Sequence, residues 1–311
     1  DRLAVFEVAV AAKLGELGTQ GMDMIHPLWL LRGLSNNVLG FVSLEYNAQG
    51  INNNYCNSGV SSIQAITAGM HAIREGYADL VFAGGYDSII GEEGLLGYGR
   101  LGLLATEQEG VSPHTAHRPF GAARTGLIPG EGACFVMLES TAHAQARGAQ
   151  PMAQLMGGGV CSGAYGITDP DPAGTKLRLA LAEASRDARV SLDSVEALFA
   201  HGAGSVTFDP IEVQVYREAM GAQAAQRVLA TADKGQVGHT MCAAGAISTG
   251  LAVQALASGR VPAMGGTQTV DRACAGLDWV LEESREATVG RALVSSAGLG
   301  GQAAALLLDR A

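Results

Sequence analysis

Short runs of apolar and β-branched residues recur along this chain. They alternate with longer segments whose apolar positions repeat at helical spacing, and that alternation most narrows the folds open to it. Ala78–Ala83, Ala133–Leu138, Met152–Gly159, Val195–Ala200, Val228–Thr231, Ala292–Ser296 and Ala303–Leu308 read as strands. Leu3–Leu17, Pro27–Tyr46, Val60–Glu75, Thr141–Arg147, Leu177–Arg189, Pro210–Met220 and Ala243–Ala257 read as helices. Gly76 stops one helix, Pro210 stands in the first turn of another, and Gly84-Gly85 is expected to close the first strand. Ile51–Tyr55 is expected to be extended. Glu92–Gly130, with Pro113, Pro119 and Pro129, reads as loops around one short helix. Strands interleaved with helices predict an α/β fold whose mixed or parallel sheet is covered on both faces.

The chain has 311 residues, 48% of them hydrophobic and 16% charged, enough for a large core in one large α/β domain or two fused halves. An internal echo favours halves: Cys56-Asn-Ser-Gly-Val-Ser-Ser opens one helix and Cys242-Ala-Ala-Gly-Ala-Ile-Ser another. The net charge of -10 argues against a nucleic-acid partner, because phosphate contacts need a basic face. Five cysteines without a CxxC pair, and no secretory apolar segment, point to a reduced, cytoplasmic setting. No stretch approaches eighteen consecutive apolar residues, so no membrane span is predicted.

Three residues stand where chemistry is done in α/β proteins. Cys56 precedes a helix, whose unpaired N–H groups and dipole favour a thiolate. His201, in Phe199-Ala-His-Gly-Ala-Gly-Ser, ends a strand, and His239, in Lys234-Gly-Gln-Val-Gly-His-Thr, lies between a strand and a helix. One cysteine with two histidines at such junctions fits thiol nucleophilic catalysis, whereas zinc-ligand spacings are absent and no metal site is predicted. His71, His114, His117 and His143 have no comparable setting.

These segments resemble the β-ketoacyl synthases of the thiolase superfamily. Asn54-Tyr-Cys-Asn-Ser-Gly-Val-Ser-Ser followed by Ala78-Asp-Leu-Val-Phe-Ala-Gly-Gly is similar to that family's active-site region. His117-Arg-Pro-Phe-Gly and Pro129-Gly-Glu-Gly-Ala-Cys-Phe-Val-Met-Leu-Glu resemble its next block. Ala200-His-Gly-Ala-Gly-Ser with Asp209 and Glu212, Lys234 through His239 with Ala243-Ala-Gly-Ala, and Gly298-Leu-Gly-Gly resemble its later motifs. Five blocks occur in family order, from about Pro27 to the end of the chain. The resemblance implies a thiolase-like fold of two βαβ-containing halves around central helices, residues 1–150 carrying the cysteine and 151–311 the two histidines and the lysine.

It further implies that Cys56 takes an acyl group from the phosphopantetheine arm of an acyl carrier protein. His201 and His239 would flank Cys56 and assist decarboxylation of a malonyl-type extender, and Lys234 would pair with Glu212. The N–H groups of Cys56 and Ala297 would form an oxyanion hole. Tyr55, Ala203, Ser205, Ala297 and Leu299 would line the substrate pocket. No metal, nucleotide or redox cofactor is implied. A homodimer, or a heterodimer with a ketosynthase-like subunit, is expected. Arg32, Arg100, Arg118 and Arg124 are candidates to receive the acidic carrier.

The sequence also departs from the family pattern. Ala203 and Ser205 replace two threonines that help hold the malonyl group. Ser295-Ser296-Ala297 replaces Asn-Ser-Phe, removing a bulky gate, and Tyr55 replaces a small residue before the cysteine. The strands expected before Pro27 are not visible, and the chain starts without Met. Two alternatives to the condensing enzyme follow: an acyltransferase of the same fold that passes the Cys56-bound acyl group to an alcohol or amine, or a non-catalytic partner subunit of a ketosynthase.

Overall fold

A computed structural model of the chain describes residues 28, 31, 33–106, 111–168 and 170–311. The helix expected over Leu3–Leu17 and the candidate docking residue Arg32 lie outside the described residues. The chain divides into two compact units, residues 1–54 and residues 55–311. In the first, helix α1 spans Asn37–Glu45 after a turn over residues 33–36, and Asn54 Nδ2 donates to Ser35 Oγ at 2.8 Å.

The second unit contains the elements that build the site. In chain order these are α2 (Ser61–Arg74), β1 (Leu80–Ser88), α3 (Glu92–Arg100), β2 (Glu131–Glu139), α4 (Thr141–Ala146) and β3 (Ala153–Ser162). There follow α5 (Thr175–Ala188), β4 (Ala197–Phe199), α6 (Phe208–Met220), β5 (Leu229–Thr231), α7 (Lys234–Val237) and α8 (Ala244–Ser258), then β6 (Asp278–Trp279), β7 (Arg291–Ala297) and β8 (Gln302–Arg310). Strands β1 and β2 form an antiparallel ribbon. The main sheet runs β3-β8-β7-β4-β5-β6, antiparallel across its first three strands and parallel across the rest, which makes it mixed as expected.

Helices α2 and α8 lie between ribbon and sheet. Ile63 and Ile66 of α2 and Ala246, Ala252 and Leu256 of α8 share one apolar core with Ala83 of β1, Val294 of β7 and Leu306 of β8. A second core covers the sheet's other face, where Leu177 and Leu181 of α5 meet Val215 and Tyr216 of α6. Because α8 is enclosed, it is apolar nearly all round. The segment Met241–Ser258 has the length and composition of a membrane span, yet more than half of it is buried inside the protein. Its small residues let it approach α2 closely: a Cβ on Gly245 would stand 2.5 Å from Ile63 Cγ1.

One expected stop is not a stop. Strand β1 continues through Gly84-Gly85 to Ser88, paired with β2 throughout. A Cβ at Gly84 would lie 2.2 Å from the Cys134 carbonyl oxygen, and one at Gly85 would lie 2.7 Å from that of Cys242. The glycines answer a close approach of backbones and not a turn.

Candidate functional site

The residues singled out as catalytic sit where the ends of β4 and β7 meet the starts of α2 and α8. His201 lies two residues beyond the end of β4. Gly202 and Gly204, at φ +51° and +75°, turn the chain away immediately behind it, a conformation that suits glycine. Buried Glu212 in α6 fixes this loop: its carboxylate accepts the N–H groups of His201 at 2.6 Å and Gly202 at 3.1 Å, and the Tyr216 hydroxyl as well. Asp209 accepts the N–H groups of Phe120 at 2.8 Å and Ser205 at 3.0 Å. Arg124, predicted as a docking residue, is buried instead. It binds the carbonyls of Ser205 and Val206 at 2.9 and 3.0 Å and the Asp271 carboxylate at 2.5 Å.

His201 and His239 come together with ring centroids 5.2 Å apart and planes at 73°. The hydrogen bonds around them assign the tautomers. Ala297 N–H donates to His201 Nδ1 at 3.2 Å and Met241 N–H donates to His239 Nδ1 at 3.1 Å. Each ring in its neutral form therefore carries its proton on Nε2. Burial first, and the Lys234 charge second, hold both imidazoles well below their ordinary pKa, so both are neutral near pH 7. The pair thus offers two Nε2–H donors, and both rings line one cavity of about 270 Å³.

Ala203, Ser205, Ala297 and Leu299 also line that cavity, while half-buried Tyr55 stands outside its wall. The Ala297 amide, predicted as an oxyanion donor, is already engaged by His201 Nδ1. The N–H of Cys56 has no acceptor among the described residues. Cys56 itself is an exposed free thiol two residues ahead of a 3₁₀ turn, Ser58–Val60, that leads into α2. No hydrogen bond joins its thiol to either histidine, so the expected flanking arrangement is not made through direct contact. The segment after Cys56 is nevertheless fastened to the end of β7. Ser296 Oγ donates to the Gly59 carbonyl at 2.7 Å, Leu299 N–H donates to Ser58 Oγ at 3.3 Å, and Ser58 lines the cavity.

Lys234 and Glu212 do not form the expected ion pair. Glu212 instead accepts two backbone amides and a tyrosine hydroxyl. Lys234 Nζ lies 4.0 Å from Asp233 Oδ1 and has no hydrogen-bond partner, although the side chain is almost completely buried. Asp233 in turn accepts Ser248 Oγ at 2.8 Å. Lys234 acts on the histidines through its field and not by touching them.

Two site residues were not foreseen. His117 is buried, and its Nε2 lies 3.0 Å from the Ala203 carbonyl, which fixes the loop behind His201. Burial is the main cause that lowers its pKa to about 4. Lys176 lines the cavity from the first turn of α5, with Nζ 3.2 Å from the Gly298 carbonyl and 4.9 Å from the centroid of Phe208. A cation in the first turn opposes the helix dipole, a local signal legible in Gly174-Thr-Lys-Leu. Among the described residues no cluster of three or more His, Cys, Asp or Glu side chains is arranged to hold a metal.

The layering of sheet, central helices and ribbon is that of the thiolase-like condensing enzymes. The fold superposes with a TM-score of 0.88 on a type II polyketide acyl-carrier protein in complex with its ketosynthase bound to the hexaketide, 26% identical over 93% of this chain and 70% of that one. The ishigamide ketosynthase/chain length factor shares the fold at a TM-score of 0.86 and 24% identity, over 97% of this chain and 72% of that one. In sequence, residues 9–144 match the family model of the β-ketoacyl synthase N-terminal domain and residues 152–268 that of its C-terminal domain. The 3-oxoacyl-[acyl-carrier-protein] synthase 2 of Coxiella burnetii is 30% identical over 94% of this chain and 70% of its own length. This chain belongs to the β-ketoacyl synthase family of condensing enzymes.

Proposed function

We propose that this protein is a decarboxylating β-ketoacyl synthase that loads an acyl group on Cys56 from an acyl carrier protein and extends it with a malonyl-type unit. The observation that carries this reading is the pair of neutral imidazoles whose Nε2–H groups serve one cavity. When the malonyl C–C bond breaks, its electrons pass to the thioester, and the enolate oxygen accepts from His201 and His239. The enolate carbon then attacks the Cys56 thioester, expels the thiolate and leaves a β-ketoacyl chain on the carrier. Burial, with the field of Lys234 second, keeps both rings unprotonated, and Glu212 positions His201 through its backbone. In this reading residues 1–150 form the half that carries the cysteine, and residues 151–311 the half that carries the two histidines and the lysine.

An acyl carrier protein is the transient partner in this reading, and a ketosynthase-like subunit or a second copy the stable one. Carrier docking in this reading falls to exposed Arg100 and half-buried Arg118, and not to buried Arg124. The reaction needs no metal or redox cofactor, and we place it in the cytoplasm. The hydroxyl-free Ala203 in the cavity wall favours a second reading, transfer of the acyl group to an alcohol or amine. The exposed position of Cys56 outside that wall favours a third, a partner subunit.

Intact-mass measurement decides among them. The protein is treated with an acylated carrier and then with malonyl carrier, beside Cys56→Ala. Cys56-dependent acylation followed by CO2 release and a carrier-bound β-ketoacyl product supports condensation. Acylation without product on malonyl addition supports transfer. Absence of acylation with any carrier supports the partner subunit and overturns the first reading.

A further inference from the structure

The cavity shared by His201 and His239 contains one formal charge. Lys176 is its only charged lining side chain among the described residues, and no carboxylate faces it there. Both histidines are neutral, Lys234 is not part of the wall, and Arg124 is committed to Asp271 and three carbonyls. Among the described residues the Lys176 ammonium accordingly has one hydrogen-bond acceptor, the Gly298 carbonyl at 3.2 Å, and the face of Phe208 at 4.9 Å. Among the described residues no carboxylate lies within ion-pair distance of it. An ammonium offers three donors, so two remain for a ligand. The placement is also costly: the residue stands in the first turn of α5, where the dipole repels a cation, and burial presses its pKa down. A cation kept in that position, in a cavity whose described wall holds no carboxylate, is arranged for an anion.

Phe208, beneath the ammonium, meets His201 edge-on with ring centroids 6.1 Å apart. One aromatic ring therefore contacts both the ammonium and one imidazole of the pair. We propose that Lys176 binds the carboxylate of the malonyl-type extender and so supplies the recognition that Ala203, lacking a hydroxyl, does not. This rests on the condensing reading above. In that geometry the carboxylate rests on Lys176 while the thioester oxygen accepts from the two Nε2–H groups. The bond that breaks lies between them: carbon dioxide leaves from the lysine side, and the electron pair moves to the enolate held by the histidines. Because the ion pair forms with the ground-state carboxylate and is lost as neutral CO2 departs, Lys176 contributes to extender binding and not to the chemical step.

The test compares the unaltered protein with Lys176→Met, which keeps the buried stem, and with Lys176→Gln should the methionine variant fold poorly. Carrier-bound malonyl is titrated against protein preacylated on Cys56. We expect KM for the malonyl carrier to rise about tenfold to a hundredfold, with kcat unchanged or higher, and Lys176→Arg to recover part of the loss. Binding is measured separately by calorimetry on Cys56→Ala protein, with malonyl-pantetheine and acetyl-pantetheine as probes. The preference for the malonyl probe should disappear in the Lys176→Met background. An unchanged KM, or a fall in kcat at constant KM, overturns the assignment. So does a malonyl preference that survives the substitution, the outcome expected if the ammonium instead holds the phosphate of the carrier's arm, which these probes lack. If the unaltered protein acylates but never condenses, the functional reading fails, and the calorimetry still decides whether Lys176 selects a carboxylate.

Discussion

Asp209 offers a test of the buried network behind His201 that requires no substrate. Its carboxyl is fully buried, accepts two backbone N–H groups and lies 3.9 Å from Arg124 Nε. Burial first, and the charge of Glu212 second, push its pKa from 3.8 up to about 7. Below 3.8 the folded and unfolded chains are both protonated at this group, and its stabilising contribution is fully present. As the pH rises, the unfolded chain gives up its proton first, and the contribution is lost by the time the pH passes about 7. A shift of roughly three units corresponds to about 4 kcal/mol across that window. Asp209→Asn preserves the shape and cannot ionise, but its single carbonyl oxygen leaves one of the two N–H donors unmatched, at a cost of roughly 1–3 kcal/mol. Urea unfolding at constant ionic strength should show the variant less stable at about pH 4.5. The difference should then move by about 3 kcal/mol in its favour by about pH 7.5. His201 and His239 titrate in both proteins and cancel in the comparison. If the two stability curves run parallel across this range, the buried carboxyl is not protonated in the fold and the argument fails.

Three further outcomes are expected. Lys234→Met removes a buried charge without a hydrogen-bond partner, so stability holds or rises by about 1–4 kcal/mol; without that charge the pKa values of His201 and His239 rise, and the acid limb of the pH–rate profile shifts upward, as NMR titration of the two rings can verify. Gly59→Ala places a Cβ 2.4 Å from the Ala297 carbonyl oxygen and should lower stability by about 1–3 kcal/mol in thermal unfolding, with a loss of condensation because the segment after Cys56 is displaced from β7. Cys56→Ala, at an exposed position, should change stability by no more than about 0.5 kcal/mol while removing the acyl adduct from the mass spectrum.

The sequence was most informative where function depends on local backbone. The helix after Cys56 and the strand before His201 follow from apolar periodicity over a few residues, so their placement at element ends was legible. The expected pairing of Lys234 with Glu212 was not realised, because the carboxylate is consumed by amides of its own loop, a competition that motif order does not reveal. His117 could not be recognised because its partner carbonyl at Ala203 lies 86 residues away. Arg124 looked like a surface cation for a similar reason: its acceptors at Ser205, Val206 and Asp271 are brought to it only by tertiary folding. Lys176 did leave a local trace, a basic residue in a helical first turn, but that trace says only that something compensates for it.

Both histidines take their tautomer from main-chain N–H groups, those of Ala297 and Met241. Main-chain donors cannot be deleted by substitution; only a proline or a shift of the strand end removes them. The polarity at the centre of the site is therefore written into the path of the chain and is independent of which side chains decorate the rim. A cavity built this way can exchange a hydroxyl for a methyl at Ala203, or give up bulk at Ala297, and still present the same two protons to whatever enters it. Substrate preference is free to drift at the walls while the chemistry stays fixed.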